Sequence, residues 1–335
     1  MFFYKVCIFM YVFISYHVAF AASVVPQDAL GQNLIHSIQS GRHLGLEEAL
    51  SQGVELNKVY NEGRTPLIEA ITHGRFGMVK KLLDAGANPD LADSLDRSPL
   101  MWAVIIGFEG LVVHLLELGV NRDHVSYHQK TALIEAISHG KVAVALRLIA
   151  GGANPNLPDG RRVTPLMWAA RTGSAPLVIA LLRVVDVNGA TSHERTALME
   201  AAAAGSLVTL QLLLRAGAQA NAATSSGRTA LLEAAKHSDL NLINALLRAG
   251  ALAHRPDCHG DTALMVASRE GNLLVVQRLL QEGAPVAHKA GDGHSALSLA
   301  RVNRHDEVVH VLLEAEAAAH VPDGLVSSGS LRGYP

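Results

Sequence analysis

Residues 65–74 read TPLIEAITHG, and this stretch decides the fold because close copies of it recur along the chain. Each copy opens with Thr or Ser, continues with Pro or Ala and then Leu, and most copies close with Gly. The spacing is 33 residues, apart from one spacing of 32 between Thr164 and Thr196. A fixed period of this length indicates a repeat protein, in which each unit packs against its neighbours. The leading positions are Thr65, Ser98, Thr131, Thr164, Thr196, Thr229, Thr262 and Ser295.

Each unit predicts two helices and a turn. In the first copy, Thr65 is a suitable N-cap, and Pro66 occupies the first helical position, where its missing N–H costs little. The short helix that follows ends at Gly74, a natural C-cap, and a second apolar pattern ends at Gly86. The polar, turn-rich stretch 87–97 then predicts a projecting hairpin.

These units resemble the ankyrin repeat, whose signature is G-x-T-P-L-H-x-A-A-x-x-G followed by L-L-x-x-G-A. The resemblance covers about residues 28–317. It implies an all-α fold, an ankyrin-repeat solenoid of paired antiparallel helices with short β-hairpin loops. The other copies that fit best are SPLMWAVIIG at 98–107, TALIEAISHG at 131–140, TPLMWAARTG at 164–173, TALMEAAAAG at 196–205 and TALMVASREG at 262–271.

The resemblance divides the chain into about nine repeats with short flanking segments. We expect a signal peptide at 1–21, a linker at 22–27 and a flexible tail at 318–335. The first repeat lacks Thr-Pro and the last lacks both glycines, which suits the polar capping repeats that close a stack. The predicted repeats are 28–60, 61–93, 94–126, 127–159, 160–192, 193–224, 225–257, 258–290 and 291–317.

The apolar segment at the start of the chain predicts export. Lys5 precedes the apolar run, and Ala-Phe-Ala at 19–21 supplies a small-x-small cleavage signal, which is the layout of a secretory signal peptide. A retained transmembrane anchor is the alternative, although residues 6–22 are short for a full span. We therefore expect a bacterial protein that is periplasmic or secreted. Cleavage would leave Cys258 as its single cysteine, so no internal disulfide could form.

Charge and motifs exclude several classes of function. The formal net charge is −2 and neither sign dominates, so the basic excess of a nucleic-acid-binding protein is absent. The sequence contains no P-loop, H-E-x-x-H, G-x-S-x-G or C-x-x-C motif. We expect no enzymatic activity, no cofactor and no nucleic-acid partner. Membrane association is expected only if the N-terminal segment is retained.

Two rows of residues raise the alternative of a metal- or redox-responsive protein. The family's His after T-P-L is replaced throughout, mostly by apolar residues, and this row serves either as an oxidation-sensitive ladder or as adaptable core packing. Packing is the simpler interpretation. His73 and His139 precede helix-ending glycines, where a cation is favourable without any metal, so we expect no metal site. The methionines of the row are Met101, Met167, Met199 and Met265.

Charged side chains recur beside the first helix of each unit. Glu69, Glu135 and Glu200 occupy a variable position that, in ankyrin proteins, borders the concave groove. A row of cations stands just before each leading Thr or Ser, as at Arg64 and Arg195. One interpretation is that the two rows pair, which for an exposed pair is worth at most about 1 kcal/mol. The other is that they set the polarity of a binding surface.

Trp102 and Trp168, the only tryptophans, stand at the same variable position two repeats apart, or about 20 Å at helix-packing distances. Ile105 and Ile106 form an apolar pair at a helix tip that is normally polar, and Arg171 lies at an equivalent tip. Large apolar side chains at such positions are typical of contact surfaces, although packing beside the groove is the alternative. We predict a binding patch for a protein or peptide, anchored by the two tryptophans and given its polarity by the three glutamates.

The predicted function is a monomeric, non-enzymatic scaffold that acts outside the cytoplasm through the concave groove. A host-directed secreted effector that uses the same groove is the alternative, and a protein responsive to metals or oxidants is a second. A structural protein that self-associates is a third. The junction near residue 185 is one residue short and lacks the usual Gly, so it is either a hinge or a silent loop deletion.

Overall fold

The computed structural model describes residues 27–60 and 63–319. The predicted signal peptide and all but the first two residues of the predicted tail lie outside these ranges. The chain forms two compact units that meet in sequence between Ala153 and Asn154. We call the described residues up to 153 unit 1 and those from 154 onward unit 2.

The described residues form eighteen helices in consecutive pairs, which confirms the predicted all-α repeat architecture. Unit 1 contains α1 (Gln27–Ser40), α2 (His43–Ser51), α3 (Pro66–Thr72), α4 (Phe76–Asp84), α5 (Pro99–Ile106), α6 (Glu109–Glu117), α7 (Ala132–Ser138) and α8 (Val142–Ala150). Unit 2 contains α9 (Pro165–Arg171), α10 (Ala175–Leu181), α11 (Ala197–Ala203), α12 (Leu207–Arg215), α13 (Ala230–Ala234), α14 (Leu240–Arg248), α15 (Ala263–Arg269), α16 (Leu273–Gln281), α17 (Ala296–Val302) and α18 (Asp306–Ala319).

The first helix of each repeat begins where the sequence predicts it. Thr65 has extended backbone and its hydroxyl accepts a hydrogen bond from the Ile68 amide at 3.2 Å, and all eight leading residues cap in this way at 3.2–3.4 Å. Such a cap satisfies an amide that the helix itself cannot pair. The period in the sequence is therefore a period of helix starts.

A glycine with left-handed backbone conformation follows the first helix of most repeats. The two repeats without this glycine differ from each other. Gly107 is the C-cap of α5 with φ +83. Arg304 keeps the same conformation, with φ +59, at the cost that a side chain imposes there. Ser238 does not adopt it, and α13, which precedes Ser238, is only five residues long.

The core is a row of aliphatic side chains that repeats with the period. The apolar residues that replace the signature His are buried in both units, as at Ile68, Met101, Met167 and Met265. The Met row is therefore core packing, as the simpler interpretation predicted.

Several hairpins between repeats are turns held by an aspartate side chain. The Oδ1 of buried Asp93 accepts hydrogen bonds from the amides of Leu95 and Arg97, each at 2.9 Å, and buried Asp159 accepts two equivalent bonds at the same distance. The half-buried Asp257 accepts two such bonds at 3.0 Å. Regular strands are absent from the described residues. The loops that the resemblance implies appear there as three isolated antiparallel bridges, Ala190 with Thr196, Ala223 with Thr229 and Lys289 with Ser295.

The ends and the irregular junction differ from the central repeats. Helices α1 and α2 occupy the segment predicted as the first capping repeat, and α18 continues to Ala319, two residues beyond the predicted end. Near residue 185, α10 stops at Leu181 and a turn follows. No helix in the described ranges has both the length and the apolar composition to cross a membrane.

Candidate functional site

One position in the first helix of every repeat carries the side chains that the sequence singles out. It lies four residues after the N-cap, and we call these positions the inner row. In unit 1 the inner row consists of Glu69, Trp102 and Glu135. In unit 2 it consists of Trp168, Glu200, Glu233, Val266 and Leu299, of which the last two are buried apolar residues.

Glu200 lies between two arginines from neighbouring repeats. Its residue exposure is 3%, and its two oxygens accept hydrogen bonds from Nε of Arg171 at 2.9 Å and Nε of Arg195 at 2.8 Å. Arg171 is the last residue of α9, and Arg195 directly precedes the N-cap Thr196 of α11. A buried carboxylate is stable here because each of its oxygens has a charged donor.

Glu233 extends this arrangement by one repeat. It is 4% exposed and accepts from Arg195 at 3.2 Å, from Nε of Arg228 at 3.1 Å and from Lys236 at 2.6 Å. Arg195 therefore bridges the glutamates of adjacent repeats. We call the six connected side chains the unit 2 strip, which consists of Arg171, Arg195, Glu200, Arg228, Glu233 and Lys236.

The ion pairs of the strip keep both glutamates charged. Burial acts to raise the pKa of Glu200, but the hydrogen bonds from Arg171 and Arg195 outweigh it and the pKa lies below its ordinary value. Burial likewise opposes ionisation of Glu233, and its pKa is lowered by Lys236 and by the attraction of the two arginines. The pKa of Arg195 is raised, because its contacts with both glutamates outweigh burial.

The glutamates of unit 1 have weaker partners. Glu69 accepts a hydrogen bond from the Gln39 amide at 2.7 Å, and Arg64 and His73 stand at 3.6 Å from its oxygens. Glu135 lies 3.4 Å from the Lys130 ammonium and 3.2 Å from a His139 ring nitrogen. Each of these unit 1 glutamates thus contacts one permanently charged side chain, Arg64 or Lys130. By contrast, Glu200 contacts two such side chains and Glu233 contacts three.

The pairing of the two rows is confirmed, but the expectation that the pairs are exposed is wrong for most of them. Glu69, Glu200 and Glu233 are buried, and only Glu135 is half-buried. Their carboxylates are covered by the very cations that pair with them. Breaking such a pair by removing the acid costs more than breaking a surface pair, because charges that lie close together are left without compensation.

Trp102 joins a helix to its hairpin. Its indole N–H donates to Oδ2 of the buried Asp93 at 3.0 Å, and Arg97 donates to the same oxygen at 3.0 Å. The Arg97 guanidinium also lies 4.1 Å from the ring centroid, and that of Arg64 lies 5.1 Å away. The ring is half-buried and so combines a structural tie with a partly exposed face.

Trp168 makes the same tie in unit 2 with one difference. Its indole N–H donates to Oδ2 of Asp159 at 3.0 Å, and the Arg171 guanidinium lies 4.8 Å from its centroid. Val163 stands where unit 1 has Arg97, so among the described residues this tryptophan is the one side-chain donor to Asp159. The two predicted anchors belong to different units, Trp102 to unit 1 and Trp168 to unit 2.

The predicted apolar pair is only partly exposed. Ile105 is half-buried, while Ile106 at the tip of α5 is 38% exposed. Phe76 and Phe108, at the starts of α4 and α6, stack with ring centroids 3.5 Å apart and an angle of 14° between their planes. In unit 1, aliphatic and aromatic side chains near the helix tips therefore lie beside the charged side chains of the inner row.

The histidines that suggested metal binding serve as local hydrogen-bonding groups. His73 and His139 are the C-cap residues of α3 and α7, and each ring bonds a carbonyl of its own helix at 2.9–3.0 Å. His237 and His305 instead bond carbonyls of the preceding repeat, each at 3.0 Å. The described ranges contain no group of three or more His, Cys, Asp or Glu placed to hold a metal. Cys258 is exposed at a hairpin tip.

A family model for ankyrin repeats matches five overlapping segments of the chain, at 76–159, 147–224, 166–257, 209–290 and 231–323. The segments together run from residue 76 to residue 323, which is well over half of the sequence. The chain belongs to the ankyrin-repeat family. Ankyrin repeats are scaffolds for protein–protein interaction and are generally not enzymes. A comparison with curated proteins finds no match to this ankyrin protein.

Sequence reasoning identified part of the unit 2 strip. It named Arg171 and Glu200 as site residues and noted the rows of acids and cations to which Glu233, Arg195 and Arg228 belong, but it did not single out Lys236. The signal lies seven residues after the N-cap, where unit 1 has the neutral Thr72, Ile105 and Ser138, and unit 2 has Arg171, Lys236 and Arg269 besides the neutral Ala203 and Val302. Cations at this position of the ankyrin repeats occur only in unit 2.

Proposed function

We propose that this ankyrin protein is a monomeric, non-enzymatic scaffold that binds a protein or peptide partner through the inner-row surfaces of its units. The observation that carries the proposal is that the inner row combines half-buried aromatic rings with arginines stacked on them. Rings and guanidinium groups of this kind are the side chains that dominate binding energy in protein interfaces. The proposal is supported further by family membership, since ankyrin repeats bind proteins.

Trp102 and Trp168 serve as anchors in this proposal. Ile105 and Ile106 add apolar contact in unit 1, and Arg171 adds a charged donor in unit 2. Glu69, Glu135 and Glu200 hold the cations in place, and thereby set which groups of the surface face a partner. This division of roles follows from burial, because a carboxylate under its cations presents little of itself to another molecule.

We also propose that the protein acts outside the cytoplasm, in the periplasm or after secretion. This part rests on the sequence of residues 1–21 alone. A host-directed effector that uses the same surface is the alternative. Fractionation of the source cells, with a variant that lacks residues 1–21 as the comparison, tests the location. We expect the full chain outside the cytoplasm with its N-terminus removed, and detection of both forms only in the cytoplasm would contradict the proposal.

A capture experiment with matched variants tests the binding surface. The residue to change is Ile106, because replacing the tryptophans would also break their ties to buried aspartates. The control is Leu118, which is 50% exposed at the end of the second helix of the same repeat. Both become Glu, so the two variants carry the same change in charge and polarity.

We expect a partner from the envelope or secretome to be captured by the parent and by Leu118→Glu, and to be lost by Ile106→Glu. The captured protein must then bind the purified parent directly, with an affinity that falls at least about tenfold in Ile106→Glu. Equal binding by both variants would place the surface elsewhere in unit 1 or in unit 2. Failure of any protein to bind the parent would contradict the scaffold proposal for that compartment.

A further inference from the structure

We infer that the unit 2 strip binds an acidic segment of a protein partner, in the extended polyproline II conformation with Asp or Glu at every third residue. The inference rests on the proposed function, because it names the kind of partner that the inner row of unit 2 accepts. It goes beyond that function in assigning a charge, a conformation and a spacing to the ligand.

The strip presents positive charge to solvent. It contains four cations and two carboxylates, which leaves two positive charges in excess. The side chains of the cations are 30–43% exposed, whereas those of the two glutamates are 4–5% exposed. A molecule that approaches this face therefore meets the cations first, and an anion is favoured.

The arginines also retain hydrogen-bond donors for such a ligand. Arg171 and Arg228 each donate only their Nε–H to a glutamate. Arg195 donates its Nε–H and one terminal N–H to the two glutamates. Within the described ranges, the remaining terminal nitrogens of these three arginines donate to no protein acceptor, and none of them is a buried unsatisfied atom. A guanidinium group has five N–H donors in a planar fork that suits a carboxylate.

The glutamates orient these free donors. Each glutamate accepts hydrogen bonds from two or more cations and so restricts the conformations of their side chains. The arginines therefore lose less side-chain entropy when a ligand binds than unpaired surface arginines would. The strip is therefore a prepared set of donors.

The spacing of the repeats sets the spacing of the ligand. Neighbouring helices pack about 8–10 Å apart, so equivalent arginines of adjacent repeats recur at roughly that distance along unit 2. A polyproline II chain advances about 3.1 Å per residue and completes one turn in three residues, so every third side chain lies on the same face, about 9 Å further along. One carboxylate at every third residue therefore meets one repeat after another.

A protein ligand suits the strip better than a nucleic acid. The strip carries an excess of only two positive charges, and the whole chain has a formal net charge of −2. A nucleic acid presents a phosphate to nearly every nucleotide and is held by many cations at once. Carboxylates at wide intervals match a short strip in which cations alternate with buried acids.

Binding of synthetic peptides to the full chain tests the inference. One fluorescent peptide of about 12 residues carries Glu at every third position and Ser or Ala elsewhere. A second has Gln for Glu, and a third has the same number of Glu residues in one block. Fluorescence anisotropy gives the three affinities at low and at physiological salt, since an electrostatic contact weakens with ionic strength.

The variant for the strip is Arg171→Gln with Arg228→Gln. Glu200 keeps Arg195 in this variant, and Glu233 keeps Arg195 and Lys236, so neither carboxylate is left without a cation. The matched control is Arg215→Gln with Arg248→Gln, which removes the same charge from exposed positions at the ends of α12 and α14. Circular dichroism and thermal unfolding verify that both variants fold as the parent does.

We expect the parent to bind the spaced Glu peptide at least about tenfold more tightly than the Gln peptide, which corresponds to about 1.4 kcal/mol. The strip variant should lose at least that factor, and the control should lose no more than about twofold. Equal losses in the two variants would show unspecific attraction and overturn the inference. Equal binding of the block peptide would overturn the spacing, and tighter binding of single-stranded DNA of equal charge would overturn the class of ligand.

Failure of this inference is distinguishable from failure of the proposed function. A partner that depends on Ile106, but binds equally to the strip variant while the spaced peptide does not bind, leaves the scaffold in place and removes the acidic ligand. Loss of that partner in the strip variant, with competition by the spaced peptide, supports both. Absence of any partner, with specific binding of the spaced peptide, supports the strip and contradicts the surface proposed around Ile106.

Discussion

The inner rows of the two units both place glutamates four residues after a helix N-cap, and these glutamates lie in different surroundings. In unit 1, Glu135 is half-buried and has contacts of 3.2–3.4 Å to a lysine and a histidine. In unit 2, Glu233 is buried and has three cations at 2.6–3.2 Å. The repeat places a glutamate at the same position of its first helix in both units. The neighbouring side chains determine how deeply that glutamate is buried and how many cations it contacts.

The difference comes from residues outside the row. Arg171 and Lys236 extend from the ends of their helices, where unit 1 has neutral residues, and Arg195 reaches the glutamate of the next repeat. A single bridging cation turns separate pairs into a connected strip. Two similar stretches of sequence can therefore give separate pairs in one unit and a connected strip of charged side chains in the other.

The largest expected effect is on stability, from loss of a buried acid. We expect Glu233→Ala to lower the free energy of unfolding by about 3 kcal/mol, because three clustered cations lose their common partner. Glu135→Ala, with a more exposed carboxylate, should cost about 1 kcal/mol or less. The measurement is urea unfolding followed by tryptophan fluorescence.

The two tryptophans allow each unit to be read separately. A Trp102→Phe background leaves Trp168 to report on unit 2, and a Trp168→Phe background leaves Trp102 to report on unit 1. Each glutamate variant is compared with its own background. Similar costs in the two units would contradict the distinction between a connected strip and separate pairs.

The next effect concerns the ties between helix and hairpin. We expect Trp168→Phe to cost about 2 kcal/mol, because one oxygen of buried Asp159 loses its side-chain donor. Trp102→Phe should cost less than about 1 kcal/mol, because Arg97 still donates to Asp93. Unfolding followed by circular dichroism measures both changes.

Hydrogen exchange gives a local control for these two variants. The amides of Arg161 and Val163 donate to Asp159, so they should exchange faster in Trp168→Phe. The corresponding amides of Leu95 and Arg97 should change less in Trp102→Phe. The opposite order would show that Arg97 does not support its hairpin.

A smaller effect is expected from acid. Because the pKa values of Glu200 and Glu233 are lowered in the folded protein, their contribution to stability is present above the unfolded pKa of about 4.3 and is lost as the pH falls through the folded values. Unit 2 should therefore lose stability below about pH 4.3. The effect is smaller than that of a substitution because a protonated glutamate still fills its place and accepts hydrogen bonds.

The variant Glu200→Gln with Glu233→Gln tests this assignment. It should be less stable than the parent at neutral pH and should lose part of the parent's dependence on acid. Unfolding midpoints of unit 2 at several pH values between about 3 and 6 provide the measurement. An unchanged slope would assign the acid sensitivity to other carboxylates.

The smallest effect should be equal in the two units and so tests what they share. Gln129 in unit 1 and Arg162 in unit 2 have left-handed φ values of +55 and +60 at the hairpin position where other repeats have Gly. Replacing either by Gly should stabilise the protein by about 0.5 kcal/mol, because relief of the left-handed conformation slightly exceeds the added freedom of the unfolded chain. Thermal unfolding measures both, and a loss of stability would show that the side chain contributes contacts that outweigh strain.

Most of the fold could be predicted because its determinants are local. The N-cap, the helix that follows it and the closing glycine lie within ten residues, as in TPLIEAITHG, and each acts through hydrogen bonds to its own segment. The replacement of the signature His by Met and Ile likewise favoured packing as the simpler interpretation, because apolar side chains at the same position of successive repeats can pack against one another.

The site could be predicted only in part because its contacts join distant residues. Arg171 meets Glu200 across 29 positions, and Arg195 meets Glu233 across 38. A row of cations beside a row of acids is visible in the sequence, but the depth of each carboxylate and the bridge between repeats depend on how side chains pack. The indole ties to Asp93 and Asp159 were missed for a similar reason, since they join a helix to the hairpin before it.

The sequence by itself determined the number of helices and the residue at which the first helix of most repeats begins, because helix capping acts within one repeat. The tertiary structure decided which glutamates are buried, which arginines bridge them and which N–H groups remain for a partner. The physical reason is the range of the interactions. Hydrogen bonds of the backbone are fixed by neighbouring residues, whereas burial and charge pairing exist only after successive repeats have stacked.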